Sequence, residues 1–153
     1  MGAMTRWLDE DEQRTWRAFL AASRALMETL DRELQRDAGM PHAYYEILVR
    51  LSEAPRRRLR MSDLAEASGS SRSRLSHAVA RLEAAGWVRR EECPTDRRGQ
   101  LAVLTDGGFA ALTAAAPGHV EGVRRHLFDA LSPAQVDQLR RISDTLVDHL
   151  TGS

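Results

Sequence analysis

Residues 61–88 read MSDLAEASGSSRSRLSHAVARLEAAGWV, and this stretch decides the fold. Its first part, 61–68, has Ser62 as the expected cap and Leu64, Ala65 and Ala67 at core-compatible positions, which predicts a helix of about two turns. Gly69 follows where a tight turn needs positive φ. Ser71 can cap a second helix running to Ala85, in which Leu75, Ala78, Val79 and Leu82 recur at helical spacing, and Gly86 supplies the stop. Two short helices joined in this way form a helix-turn-helix pattern. At about 100° per residue, burying Leu75, Val79 and Leu82 turns Ser73, His77, Ala80 and Ala84 outward, flanked by Ser76, Arg74 and Arg81. A major groove about 12 Å wide admits a helix whose leading face is free of bulky apolar chains, and this face meets that demand. An ordinary surface helix would also put polar residues outward.

Working outward, Trp87 to Glu92 and Gln100 to Leu104 read as two short strands. Between them Cys93-Pro94-Thr95-Asp96-Arg97-Arg98-Gly99 is a turn-forming stretch with two adjacent arginines. A hairpin with a cationic tip beside a helix-turn-helix is a wing. An extended arginine can enter a minor groove about 6 Å wide, and a nearby carboxylate, here Asp96, can orient its guanidinium. A surface ion pair in a turn contributes otherwise only about 0–1 kcal/mol.

The flanks are helical. From Asp9 to Asp37 the positions Trp16, Phe19, Leu20, Met27, Leu30 and Leu34 form one apolar stripe, with Asp9 to Glu12 at the favourable end of the dipole. Gly39 ends that helix, Pro41 fits the first turn of the next, and Tyr44, Ile47, Leu48 and Leu51 give it a buried face up to Pro55. Thr105 can cap a helix from Asp106 to about Phe128, which Pro117-Gly118 should kink or break. Ser132-Pro133-Ala134-Gln135 has capping-box spacing, and Val136, Leu139, Ile142, Leu146 and Leu150 follow as a last stripe.

Charge and composition narrow the function classes. The 153 residues balance 22 basic against 22 acidic side chains, every basic one an arginine. Residues 56–98 hold eleven arginines against six acids, whereas 1–55 and 99–153 are net acidic. Any polyanion-binding surface is therefore local, as a sequence reader of nucleic acid requires; a solvated charged face is the plain alternative. No apolar run approaches the roughly 18 residues of a membrane span, no export leader is evident, and Cys93 stands alone, so a cytoplasmic protein without membrane contact is expected. Residues 1–4 read as an expression remnant.

With its helix-turn-helix, its Leu82-Glu83-Ala84-Ala85-Gly86-Trp87-Val88 segment, its wing Pro94-Thr95-Asp96-Arg97-Arg98 and its Leu104-Thr105-Asp106-Gly107-Gly108, the chain resembles the multiple-antibiotic-resistance regulator (MarR) family of transcription factors. The resemblance implies a mainly α winged helix-turn-helix fold over 5–150, with dimerisation helices at 5–38 and 106–150 around a winged segment at 41–105. It also implies a homodimer on palindromic double-stranded DNA, a recognition helix at 72–85, and Arg98 inserted in the minor groove and oriented by Asp96. Many relatives release DNA when a small aromatic or phenolic effector binds. The expected DNA-binding residues are Arg72, Ser73, Arg74, Ser76, His77, Arg81, Asp96, Arg97 and Arg98.

Other residues admit plainer roles. Arg56-Arg57-Arg58-Leu59-Arg60 can touch phosphates, form a small third strand, or sit in a solvated loop. Cys93 reads as an inert thiol rather than a redox sensor. The five histidines show no metal motif, so no metal or cofactor is expected. Trp16, His42, Tyr44 and Tyr45 can line an effector cavity, though an ordinary core suits them better. No nucleophile-base pair or phosphate loop suggests an enzyme. A ligand-responsive repressor is the leading class; a constitutive DNA binder or a winged interaction module without DNA binding are the alternatives.

Overall fold

Helix α1 (Glu10–Ala38) starts where Asp9 and Glu12 cap each other: the Glu12 N–H donates to Asp9 Oδ1 at 2.8 Å and the Asp9 N–H to Glu12 Oε2 at 3.0 Å. The computed structural model describes residues 4–152, which divide into two compact units. The terminal unit holds both chain ends, up to Leu30 and from Val123; the central unit spans Asp31–Gly122. The central unit contains the end of α1, then α2 (His42–Glu53), β1 (Arg58–Arg60), α3 (Met61–Ala67), α4 (Arg72–Ala84), β2 (Val88–Cys93), β3 (Asp96–Leu104) and all but the last residue of α5 (Asp106–Val123). This is the expected mainly α winged helix-turn-helix.

The core of the central unit forms where the stripes predicted it. Leu48 and Leu51 of α2, Leu64 of α3, and Leu75, Val79 and Leu82 of α4 are buried in one cluster with Val88, Ala102 and Leu104 of the sheet. Full burial of such side chains contributes roughly 1.5–3 kcal/mol each, so α4 has one stable orientation about its axis. Both helices of the motif stop by the same device. The Ser70 N–H donates to the Ala65 carbonyl and the Trp87 N–H to the Leu82 carbonyl, across Gly69 and Gly86, whose φ values are 59° and 78°.

The sheet is antiparallel in the order β1-β3-β2, with Arg58 opposite Val103 and Val88 opposite Leu104. The 56–60 segment thus supplies the third strand through Arg58–Arg60, after a turn in which Arg56 and Arg57 both adopt φ of 56°. Arg58 Nη1 reaches Glu91 Oε2 at 3.1 Å, spanning the middle strand.

Four local expectations need correction. The segment 93–99 is not a seven-residue loop: Cys93 pairs with Asp96, only Pro94 and Thr95 turn the chain, and a register shift lies between Glu92 and Cys93. Ser62 does not cap α3, because the helix begins at Met61 with Arg60 in the cap position and no side-chain cap. Pro41 stands at the cap of α2 rather than inside its first turn. Pro117 lies within α5, since one missing N–H leaves the neighbouring helical bonds intact; the irregularity comes later, as a widened turn at Arg124–Phe128 in the terminal unit.

Helix α6 (Pro133–Thr151), in the terminal unit, carries the predicted capping box: the Gln135 N–H donates to Ser132 Oγ at 3.2 Å and the Ser132 N–H to Gln135 Oε1 at 2.9 Å. Its stripe of Leu139, Ile142, Leu146 and Leu150 is exposed, as are Trp16, Phe19 and Met27 of α1. Among the described residues no helix is long and apolar enough to cross a membrane.

Thr105 ties the wing to α5. Its N–H donates to the Trp87 carbonyl at 3.1 Å, its hydroxyl donates to the Gly86 carbonyl at 2.6 Å, and Thr105 Oγ1 accepts the Gly108 N–H at 2.9 Å. Gly108 is thereby pressed on backbone: a Cβ there would lie 2.0 Å from the Trp87 carbonyl oxygen, whereas at Gly107 the nearest atom would be 3.5 Å away. Gly108→Ala should therefore destabilise by roughly 3 kcal/mol, seen as a fall in melting temperature on the order of 10 °C. Gly107→Ala should be neutral or slightly stabilising. Equal melting temperatures for the two variants would contradict this packing.

Candidate nucleic-acid interface

Ser71 caps α4 by accepting the Arg74 N–H at 3.2 Å, and the buried stripe then fixes which side chains face outward. Ser73, Arg74, His77, Ala80, Arg81 and Ala84 are exposed along this helix, as its periodicity predicts. Ser76 is placed differently. It is half-buried, and its carbonyl and hydroxyl lie 2.9 and 3.5 Å from Arg90 Nη2, so it faces the wing rather than the leading edge of the helix. Arg72 stands at the helix start and also borders the space between helix and wing.

That space is a cleft of about 440 Å³, lined by Arg60, Arg72, Arg90 and Arg98 with Asp96 as the one acidic side chain, together with Ser62, Ser76 and Gln100. Arginines drawn from β1, α4, β2 and β3 thus converge on one hollow, although they are scattered along the sequence. Planar guanidiniums suit phosphate oxygens, which they can bind through paired N–H groups. The net positive lining of the cleft suits an anionic group.

The wing tip is held from inside. Arg60 Nη2 donates to Thr95 Oγ1 at 2.7 Å, and Thr95 Oγ1 in turn lies 3.4 Å from Cys93 Sγ. Hydrogen bonding by Thr95 draws the Cys93 thiol below its ordinary pKa. Asp96 Oδ1 accepts the backbone N–H of Arg98 at 3.0 Å, so the carboxylate fixes the backbone of Arg98 instead of gripping its guanidinium, a difference from the expected pairing. Arg98 is exposed beside it. The side chain of Arg97 lies outside the described residues.

Arg60 and Arg90 join the cleft in addition to the residues expected from the sequence. Arg60 belonged to a basic run whose role was open, while Arg90 carried no signal: on a strand, an arginine facing a cleft is spaced like one facing solvent.

The expected effector residues meet only in part. His42 and Tyr45 gather around His119 of α5, with ring centroids 5.4 and 4.4 Å from its imidazole, and the His42 N–H donates to Asp31 Oδ1 at 2.8 Å. Tyr44 packs half-buried at the edge of the core. Trp16 belongs to the terminal unit, where it neighbours Phe19. His119 Nδ1 is buried without a hydrogen-bond partner. Burial, then the nearby His42, lower the pKa of His119, with Glu46 and Glu33 opposing. Among the described residues no group of three or more His, Cys, Asp or Glu side chains could hold a metal ion.

The sequence pattern of the MarR family matches residues 38–99, which contain both helices of the motif and most of the wing. Over 125 residues the chain is 30% identical to the transcriptional repressor MprA of Escherichia coli K12, covering 82% of this chain and 70% of that one. It superposes on Sco3205 of Streptomyces coelicolor, a MarR family transcriptional regulator solved in complex with DNA, with a TM-score of 0.92 and 55% identity over 95% of this chain and 92% of that one. AbsC, a MarR family transcriptional regulator from the same organism, gives 0.90 and 46% over 97% and 100% of the two chains.

The histidine cluster predicts a pH dependence of stability. Because the folded state lowers the pKa of His119, the unfolded chain takes up this proton first as pH falls below about 6.5. The group's contribution to stability is intact above pH 7 and declines below 6.5, levelling off once the folded imidazole also protonates. His119→Gln should flatten the fall in melting temperature between pH 7 and 5. An unchanged slope would show that this imidazole is not the sensitive group.

Proposed function

Because this chain belongs to the MarR family of transcriptional regulators, we propose that it is a sequence-specific DNA-binding regulator, working as a homodimer on an inverted repeat. Helix α4 enters the major groove, with Ser73, His77 and Arg81 toward the base edges, while Arg98 reaches into the adjacent minor groove. The observation that carries this reading is the four-arginine cleft between α4 and the wing, a concentration of positive charge at the junction of the two DNA-reading parts in a chain whose net charge is zero. The likeness to MprA favours repression. Residues 5–150 act together as one regulator, without enzymatic activity, and a genomic partner implies a cytoplasmic protein.

The exposed apolar stripes on α1 and α6 support the dimer. Leu139, Ile142, Leu146 and Leu150 recur at helical spacing and are 38–78% exposed, and a second copy would bury them by self-complementary pairing. Two recognition helices would then meet major grooves about 34–36 Å apart. The cluster of His42, Tyr45 and His119 is the better candidate for a small aromatic effector, since it joins aromatic rings, on which such a ligand can stack, to an unpartnered nitrogen. Such a ligand weakens DNA binding only through a higher affinity for the dimer that does not fit the grooves.

Binding curves on the operator and on base-substituted versions, at two salt concentrations, test the assignment. Arg98→Ala should cost roughly 1–3 kcal/mol of affinity while leaving the preferred major-groove bases unchanged. Changes at Ser73 or His77 should alter which bases are tolerated, and replacing Arg97 should weaken all sequences alike and reduce the salt slope by about one. Sedimentation should give a dimer at micromolar concentration. A folded, dimeric Arg98→Ala variant that binds like the parent would contradict the role given to the wing.

A further inference from the structure

Two DNA-reading parts on separate elements can serve one operator only if the angle between them is fixed. Arg90 is placed to fix it. It stands on β2 opposite Ala102, and its guanidinium reaches across to α4, where Nη2 donates to the Ser76 carbonyl at 2.9 Å and Nε lies 2.6 Å from Glu83 Oε1. Ser76 and Glu83 are about two turns apart, so one guanidinium holds the recognition helix at two points, by a hydrogen bond to the Ser76 carbonyl and by an ion pair with Glu83 in which Nε makes no hydrogen bond. The guanidinium is largely withdrawn from solvent, with 26% of the side chain exposed, which favours a well-defined contact over a loose surface pair.

Charge adds to the need for a tether. Arg60, Arg72 and Arg98 line the same cleft against a single carboxylate, Asp96, which leaves a net repulsion among them, while Glu83 pairs with Arg90. Without the tether, that repulsion would favour opening the wing away from α4.

We propose that Arg90 is a positioning residue that locks the wing against the recognition helix, so that Arg98 and the outward face of α4 engage adjacent grooves together. The proposal rests on the DNA-binding reading above. Lysine is a poor replacement, because its compact ammonium does not span the Ser76 carbonyl and the Glu83 carboxylate as the broader guanidinium does.

The test is a pair of double-mutant cycles on the duplex recovered by selecting bound fragments from genomic DNA. Operator affinity is measured for the parent, Arg98→Ala, Arg90→Met, Glu83→Gln and the two doubles with Arg98→Ala, and circular dichroism establishes that each variant is folded. In the parent background Arg98→Ala should weaken binding about tenfold or more; in the Arg90→Met or Glu83→Gln background it should weaken it by less than about threefold, because the wing is already displaced. Arg90→Lys should behave like Arg90→Met. A merely structural arginine would lower the melting temperature and leave the effect of Arg98→Ala unchanged. Should Arg90→Met fail to fold, the Glu83→Gln cycle decides alone. A full tenfold loss in the folded backgrounds overturns the positioning role, whereas a parent that binds no duplex, or an Arg98→Ala variant equal to the parent, defeats the DNA-binding reading itself and this proposal with it.

Discussion

Burial of Leu75, Val79 and Leu82 against Leu48, Leu51 and Leu64 governs every later feature of the interface. A helix carries its side chains at fixed angles, so sinking one stripe leaves a single face for contact with a partner. Rotating α4 by one residue would bury Ser76 or expose Val79, at a cost of a few kcal/mol for each misplaced group. That cost keeps Ser73, His77 and Arg81 outward. The same burial presents Ser76 and Glu83 to β2, and so determines where the wing can attach.

Much of this was legible in the sequence because it rests on local rules. Helix periodicity, the Ser71 and Ser132 caps and the stops at Gly69 and Gly86 act within a few residues, and the helices built from them match their predicted spans closely. The failures are non-local. The loop expected at 93–99 is mostly extended strand, closed by the Cys93–Asp96 pair, and the register shift that leaves 97–99 unpaired depends on the partner strand, not on turn propensity. Ser62 lost its capping role because β1 runs directly into α3, leaving Arg60 in the cap position.

The candidate site divides in the same way. The exposed face of α4 follows from its period, and the arginines of the wing tip from their motif. The cleft does not, because Arg60, Arg72, Arg90 and Arg98 converge only once three strands and a helix are assembled. His119 likewise joins His42 and Tyr45 from a distant helix, while Trp16, grouped with them in the sequence reading, falls in the other unit.

A neutral chain with a basic hollow beside its helix-turn-helix suits a protein that must search DNA without clinging to it, since phosphate attraction is then concentrated near the surface proposed to read bases. The central claim is that α4 and the wing read adjacent grooves of one duplex, and hydroxyl-radical footprinting of the parent protein on its selected operator tests it most directly. The account predicts an inverted repeat in which each half-site shows protected backbone flanking a major groove and a second protected patch over the neighbouring minor groove. Protection limited to one groove per half-site, or no selected sequence at all, would contradict it.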